Sequence, residues 1–219
     1  MTCEYAISLL KRLDCNFQSL IAKSKLVTDD LPSKGQDLYQ DCFDAVDNLI
    51  TYYTQLVNCC YFSPIKNNIS IFSYLNYVPN QTLHGIIREL RNTAQHFEER
   101  IQFQMRSVNP FLQLSYKNKK SSWKITFGNG GYRFNSDPKE NFKTEFNENN
   151  LSFHSYRLQG NYSNPNSILI PEIIRIKDIW DHTLNLAKLV EDNIAEVMTS
   201  NNLSCTTPRD ISVTIKINN

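Results

Sequence analysis

The stretch PNQTLHGIIRELRNTAQHFEERIQFQMRS, residues 79–107, sets the frame in which the rest of the chain is read. Its apolar residues Leu83, Ile86, Leu90, Ala94, Phe97, Ile101 and Met105 recur three and four apart. That is the spacing of one buried stripe on an α-helix. Pro79 stands where a helix can begin, and Pro110 closes the run. With about 100° of turn per residue, Asn92 and His96 fall on the side away from Leu90, and Arg91 flanks them. Arg88, Gln95 and Glu99 share that polar face. An Arg, an amide and a His gathered there suit a phosphate better than a packing role. Arg keeps its charge and offers a planar fork, and His titrates near neutral pH.

Three further helices follow from the same periodicity. Residues 3–27 carry Ala6, Leu10, Leu13, Phe17 and Leu20 at helical spacing, and the Pro- and Gly-containing stretch 29–35 ends them. Residues 36–61 repeat the pattern through Leu38, Cys42, Ala45, Leu49, Tyr53, Leu56 and Cys60, and Ser63-Pro64 stops it. Residues 66–78 read as a connector with one turn of helix. Pro171 opens a last helix to about Thr199, with Ile173, Ile176, Trp180, Leu184, Ala187, Val190, Ile194 and Val197 as its stripe. Three long helices before residue 110 and one after residue 168 predict a mainly α protein. The expected architecture is an antiparallel bundle of four long helices in a single domain, built from residues 1–110 and 169–200.

Between them the period changes. Ser122 to Phe127 alternates with Trp123, Ile125 and Phe127 on one face, Gly128-Asn129-Gly130-Gly131 is a hairpin signal, and Tyr132-Arg133-Phe134 returns as a partner strand. Phe142 to Phe146 and Ser152 to Leu158 read as two more strands. A small antiparallel β insertion is therefore expected over residues 111–168, with an edge strand added by Ile211 to Ile217.

Composition narrows the function classes. The formal charge of +1 announces no global excess for nucleic acid, which leaves room only for a local basic cleft. Residues 1–10 lack the basic start and apolar block of a signal peptide, and no apolar run approaches the ~20 residues of a membrane span. A cytoplasmic protein with no membrane contact is expected. Cys3, Cys15, Cys42, Cys59, Cys60 and Cys205 make no C-x-x-C pair and read as free thiols of a reducing compartment.

Arg91-Asn92-Thr93-Ala94-Gln95-His96 resembles the signature of the HEPN superfamily, whose ribonuclease members carry Arg, a polar residue such as Asn, and a His a few residues on. With 9 Arg, 25 Asn and 4 His in the chain, composition alone would produce the Arg-Asn-x-x-x-His spacing about 0.02 times. The resemblance implies a HEPN-like bundle and a metal-independent endoribonuclease with no cofactor, which leaves a 2′,3′-cyclic phosphate. It implies Arg91, Asn92 and His96 as the catalytic set, and a homodimer in which two motif copies face one cleft. Toxin or defence roles, with a cognate antitoxin as partner, come with the same resemblance. A non-catalytic HEPN-like module that binds a nucleotide, RNA or protein is the alternative. Tyr is frequent two residues after the His in toxins paired with nucleotidyltransferases, and Glu98 stands there instead.

RNA contacts are expected from Arg88 and Gln95 on the motif helix. Lys119 and Lys120 are further candidates, in a basic-aromatic cluster with Lys117, Lys124, Tyr116 and Trp123. The plainer reading of those lysines is protection of a strand edge. Asp178 and His182, four apart, are a possible metal pair without a third ligand, so no metal site is expected. His84, beside Gly85, reads as a surface or capping residue, and His154 lies in a strand without an evident partner.

Overall fold

The computed structural model describes residues 2–29, 35–61, 69–76, 82–95, 112–128, 131–138, 145–159 and 168–200. Helices α1 (Thr2–Asp29) and α2 (Gln36–Cys60) pack side by side. Tyr5 Oη donates to Gln55 Oε1 near one end of the pair, and Lys23 meets Asp41 at 3.4 Å near the other. Numbers rise on one helix as they fall on the other, so the two are antiparallel. A short helix α3 (Ile69–Tyr74) and the motif helix α4 (Leu83–Gln95) follow. The last helix, α5 (Ile176–Ser200), packs on α1 through Phe17 and Trp180, whose rings stack at 4.2 Å. No helix among the described residues is long and apolar enough to cross a membrane.

The other layer is a five-stranded antiparallel sheet: β1 (Leu112–Lys117), β2 (Ser121–Gly128), β3 (Gly131–Pro138), β4 (Leu151–Gln159) and β5 (Ile168–Arg175). Its order is β3-β2-β1-β4-β5, so β1 is central and β3 and β5 are the edges. Because side chains alternate between faces, one register row is apolar throughout: Phe134, Ile125, Leu114, Phe153 and Ile174. Leu114 and Ile125 are fully buried, each contributing roughly 1.5–3 kcal/mol of hydrophobic stabilisation. Phe43 of α2 meets the rings of Phe127, Tyr132 and Phe153, and Tyr39 stacks on Phe134 at 5.0 Å. Trp123 Nε1 donates to Thr28 Oγ1, which donates to the Ser24 carbonyl, fastening the sheet to the end of α1.

The expected four-helix bundle with a small insertion is thus corrected to an α+β architecture in which the sheet forms a full layer. The misreading began at Pro171. That residue does not open the last helix; it lies inside β5, in register with Tyr156. Proline is tolerated there because β5 is an edge strand, and the isoleucines around it are strand formers. Ile173, expected on the helix stripe, is 63% exposed on the sheet surface. The central strand β1 went unseen because six residues of Leu-Gln-Leu-Ser-Tyr-Lys give a short alternation easily lost beside long helices. The Ser122–Phe127 strand, its hairpin with Gly128 opposite Gly131, and the Ser152–Leu158 strand all occur. Of the expected 142–146 strand, Glu145 and Phe146 lie outside any strand, and Phe146 stacks on Tyr116; residues 142–144 lie outside the described residues. The 211–217 strand and the motif helix beyond Gln95 also lie outside them.

Candidate functional site

Helix α4 is where the chemistry-bearing side chains converge. Ile87 and Leu90 bury its apolar side, and Thr93 anchors its far end to the sheet. The Thr93 hydroxyl lies 2.5 Å from the Tyr156 carbonyl on β4 and 3.0 Å from the Glu89 carbonyl on its own helix. Pro171, the register partner of Tyr156, brings no N–H to that ladder, so a hydroxyl from α4 is a fitting donor.

The motif residues have separate surroundings. Arg91 is half-buried, and its Nε is buried with no hydrogen-bond partner among the described residues. Its charge acts on Asp47 of α2. Burial first and neighbouring Asp44 second push the Asp47 carboxyl above its ordinary value, and Arg91 opposes the shift. Asn92 is half-buried and its amide donates to Glu89 Oε1 at 3.4 Å, a local helix pair. His96 lies outside the described residues, as does the side chain of Gln95. Arg88 is exposed between Arg91 and His84. Lys119 and Lys120 are exposed in the β1–β2 turn, where Asn118 Oδ1 accepts from the Lys120 and Ser121 amides. The structure therefore brings Arg88, Arg91 and Asn92 onto one helix, and places Lys119 and Lys120 in the sheet layer.

One turn before Arg88, His84 starts a buried polar network that the sequence reading missed. Far from a surface or capping residue, His84 is only 4% exposed. Its Nδ1 lies 2.9 Å from Tyr53 Oη on α2, and the same Oη lies 2.9 Å from His182 Nε2 on α5. Tyr74 Oη on α3 lies 2.7 Å from His182 Nδ1 and 2.9 Å from the His182 carbonyl. The proton positions follow by elimination. A carbonyl only accepts, so Tyr74 gives its proton there and takes the Nδ1–H of His182. With His182 neutral, Nε2 then accepts from Tyr53, and Tyr53 accepts the Nδ1–H of His84. Neutrality is favoured by the surroundings: burial first and His84 second push His182 down to about 4, and burial, then Arg88, lower His84. Burial drives the Tyr53 hydroxyl far above its ordinary value, so it stays protonated.

Both tyrosine hydroxyls and both ring nitrogens of His182 thus have partners, and the network works as a lock joining α2, α3, α4 and α5. His182 is consequently turned to tyrosines, and Asp178, four residues before it, pairs with Arg175 at 2.7 Å. Among the described residues no three His, Cys, Asp or Glu side chains gather as a metal site. The signals that pointed here were weak but present. Tyr53 stood on an apolar stripe, where a buried hydroxyl needs a partner, and the His and Tyr side chains of other helices are candidates for it.

His154, on β4, finds the partner the sequence did not reveal: Ser115 Oγ lies 2.7 Å from its Nε2. Burial and then Lys124 lower its pKa. Cys42, Cys59 and Cys60 are buried free thiols and Cys15 is an exposed one. Burial pushes Cys42 and Cys60 up to about 12, so neither is a thiolate nucleophile at neutral pH.

Comparison with protein-family models, curated proteins and solved structures gives no match. The likeness to HEPN proteins rests on residues 91–96 alone.

Proposed function

We propose that the chain is a metal-independent endoribonuclease of HEPN type, acting at the polar face of α4. The observation that carries this reading is Arg91: a permanently charged guanidinium held half out of water, with a buried N–H that has no partner among the described residues. Such a group is suited to a phosphate oxygen, which accepts a charge-assisted hydrogen bond. In the reaction the ribose 2′-oxygen attacks the adjacent phosphorus as its proton leaves to a base. The bond to the 5′-oxygen breaks, and that oxygen takes a proton from an acid. A 2′,3′-cyclic phosphate and a 5′-hydroxyl result. Arg91 balances charge on the phosphorane, Asn92 orients the phosphate, and His96 moves a proton. A second imidazole comes from His96 of a second copy, which is why a homodimer belongs to the proposal. A cytoplasmic toxin or defence effector, held by an antitoxin, is the setting we propose for it.

A second reading, a non-catalytic HEPN-like binding module, draws on Asp47, whose negative charge acts on the same guanidinium. One experiment separates the two: incubation of total cellular RNA with wild type, His96→Ala and Arg91→Ala in EDTA, with folding checked by circular dichroism. Cleavage that both variants lose, with cyclic phosphate ends on the products, upholds the nuclease. Folded wild type that leaves RNA intact, alone and at concentrations that give dimers, favours the module.

A further inference from the structure

The net charge of +1 conceals a separation of charge. Helix α2 carries four aspartates, Asp37, Asp41, Asp44 and Asp47, and neither Lys nor Arg. The sheet face opposite Leu114 and Ile125 is the reverse over β1, β2 and β3. Its central register row runs Asn135, Lys124, Ser115, Ser152 and Arg175 across all five strands. Next to it come Arg133 opposite Thr126, and Lys117 opposite Ser122, with Asp137 at the β3 end of that last row. Lys117, Lys124 and Arg133 are exposed, as are Lys119 and Lys120 in the adjoining turn.

The plain explanation for strand lysines is protection of an edge. Strand order removes it for two of them: Lys117 lies on the central strand and Lys124 on its neighbour β2, whereas Arg133 stands on the edge strand β3. Nor do these cations serve the core, because Leu112, Leu114, Tyr116, Trp123 and Ile125 occupy the other face. Neighbouring strands lie about 4.8 Å apart and alternate residues about 7 Å along a strand. The five cations therefore form a patch of like charge whose mutual repulsion is relieved by a polyanion. Tyr116 and Trp123, expected to stack with bases, are 0% and 1% exposed. The face offers charge without an aromatic platform, which suits a phosphate backbone and not base recognition.

We propose that the outer face of β1, β2 and β3, with Lys117, Lys119, Lys120, Lys124 and Arg133, binds the phosphate backbone of single-stranded RNA. The choice of RNA rests on the nuclease reading above; the charge pattern stands without it. Binding is sequence-neutral and salt-dependent.

The test is fluorescence anisotropy of the full chain with a labelled 2′-O-methyl oligouridine of roughly twenty nucleotides. This probe has no 2′-hydroxyl and cannot be cleaved. Reversal of Lys117, Lys124 and Arg133 together to Glu is expected to weaken binding at least tenfold. It is also expected to flatten the slope of log affinity against log salt by about 2, some 0.7 for each phosphate no longer neutralised. A control reversal of the exposed Lys25 and Lys188, on the helical layer, is expected to stay within about twofold of wild type. Should the triple variant misfold, Lys124→Gln and Arg133→Gln singly are each expected to flatten the slope by about 0.7. The proposal is overturned if the face variants bind as wild type does. It is equally overturned if the control loses as much, or if the wild type binds anionic phospholipid vesicles and not the oligomer. A chain that binds through this face yet cleaves no RNA refutes the nuclease and keeps the face. One that cleaves RNA and is indifferent to face reversal does the opposite.

Discussion

Tyr53→Phe isolates the lock between the helices. The aromatic ring remains, so packing around α2 is kept and only one oxygen leaves a core position that is 1% exposed. Two hydrogen bonds of 2.9 Å disappear with it. What remains is the larger cost: His84 Nδ1–H without an acceptor and His182 Nε2 without a donor. A stranded buried polar group costs about 1–3 kcal/mol. His84 is buried and recovers little of that from water, whereas half-buried His182 recovers more. The expected loss is about 2–3 kcal/mol, against about 5–15 kcal/mol of total stability for a typical domain, so the variant still folds. Tyr74→Phe serves as the comparison. Its hydroxyl is half-buried, and besides its two contacts with His182 it has Asn185 as a hydrogen-bond partner, so about 1 kcal/mol is expected. Equilibrium urea denaturation at pH 8, where both imidazoles are neutral folded or unfolded, measures the two. An unchanged m-value is required for the comparison to hold. Tyr53→Phe within about 0.5 kcal/mol of wild type, or less destabilising than Tyr74→Phe, refutes the directional network.

Acid should weaken the same lock. The folded chain holds His182 at about 4 and His84 and His154 below their ordinary 6.5, so between those values the unfolded chain binds protons that the folded chain refuses. Stability is then level above pH about 7 and falls as pH drops from about 6.5 towards 4, by up to ~1.4 kcal/mol per pH unit for each imidazole. The raised Asp47 carboxyl works in the opposite sense and offsets a part. Urea midpoints that stay level from pH 7.5 to 5 contradict this. Thr93→Val is isosteric and removes the donor to the Tyr156 carbonyl; a loss of about 1 kcal/mol is expected, restored by Thr93→Ser, in the same assay. On the nuclease reading, Arg91→Ala lowers the initial rate on an RNA oligomer by at least about 100-fold, and Arg91→Lys, which keeps the charge but not the fork, recovers only part. A full rate in Arg91→Ala would place the chemistry elsewhere.

Long elements were legible and short ones were not, for a physical reason. Helices α1 and α2 repeat their apolar stripe over six or seven turns, and the observed bounds, Thr2–Asp29 and Gln36–Cys60, fall within a residue or two of those read from the sequence. Strand β1 shows only three inward residues, Leu112, Leu114 and Tyr116, too few to separate alternation from chance. The stretch from Ile168 to Arg175 is rich enough in isoleucine to fit either period. Its neighbours decide the matter: Phe153 and Leu158 on β4 supply partners that no local pattern reveals. The site divides in the same way. A motif confined to one helix is visible as spacing, whereas Tyr53, Tyr74, His84 and His182 come from four helices and meet only when these pack.

That division bears on how α4 can function. Along its length the helix is tied to α2 and α5 through His84, and to β4 through Thr93. Residues from His84 to Thr93 span about 13 Å at 1.5 Å per residue, so the ties sit at opposite ends of the run that carries Arg88 and Arg91. A guanidinium mounted between two fixed points loses little freedom when a phosphate arrives, which favours recognition by a preorganised group. The acidic side of α2 presents the counterforce, because Asp47, which the guanidinium influences, repels the same anion. Protonation of the raised Asp47 carboxyl removes part of that repulsion. Phosphate affinity at Arg91 should therefore rise on acidification, which also weakens the His–Tyr lock. Asp47→Asn separates the two effects: it relieves the repulsion at all pH values and leaves the lock untouched. RNA binding or cleavage that is stronger in Asp47→Asn at pH 8 places the phosphate at Arg91, and weaker binding would mean that the carboxylate orients the guanidinium and does not oppose its ligand.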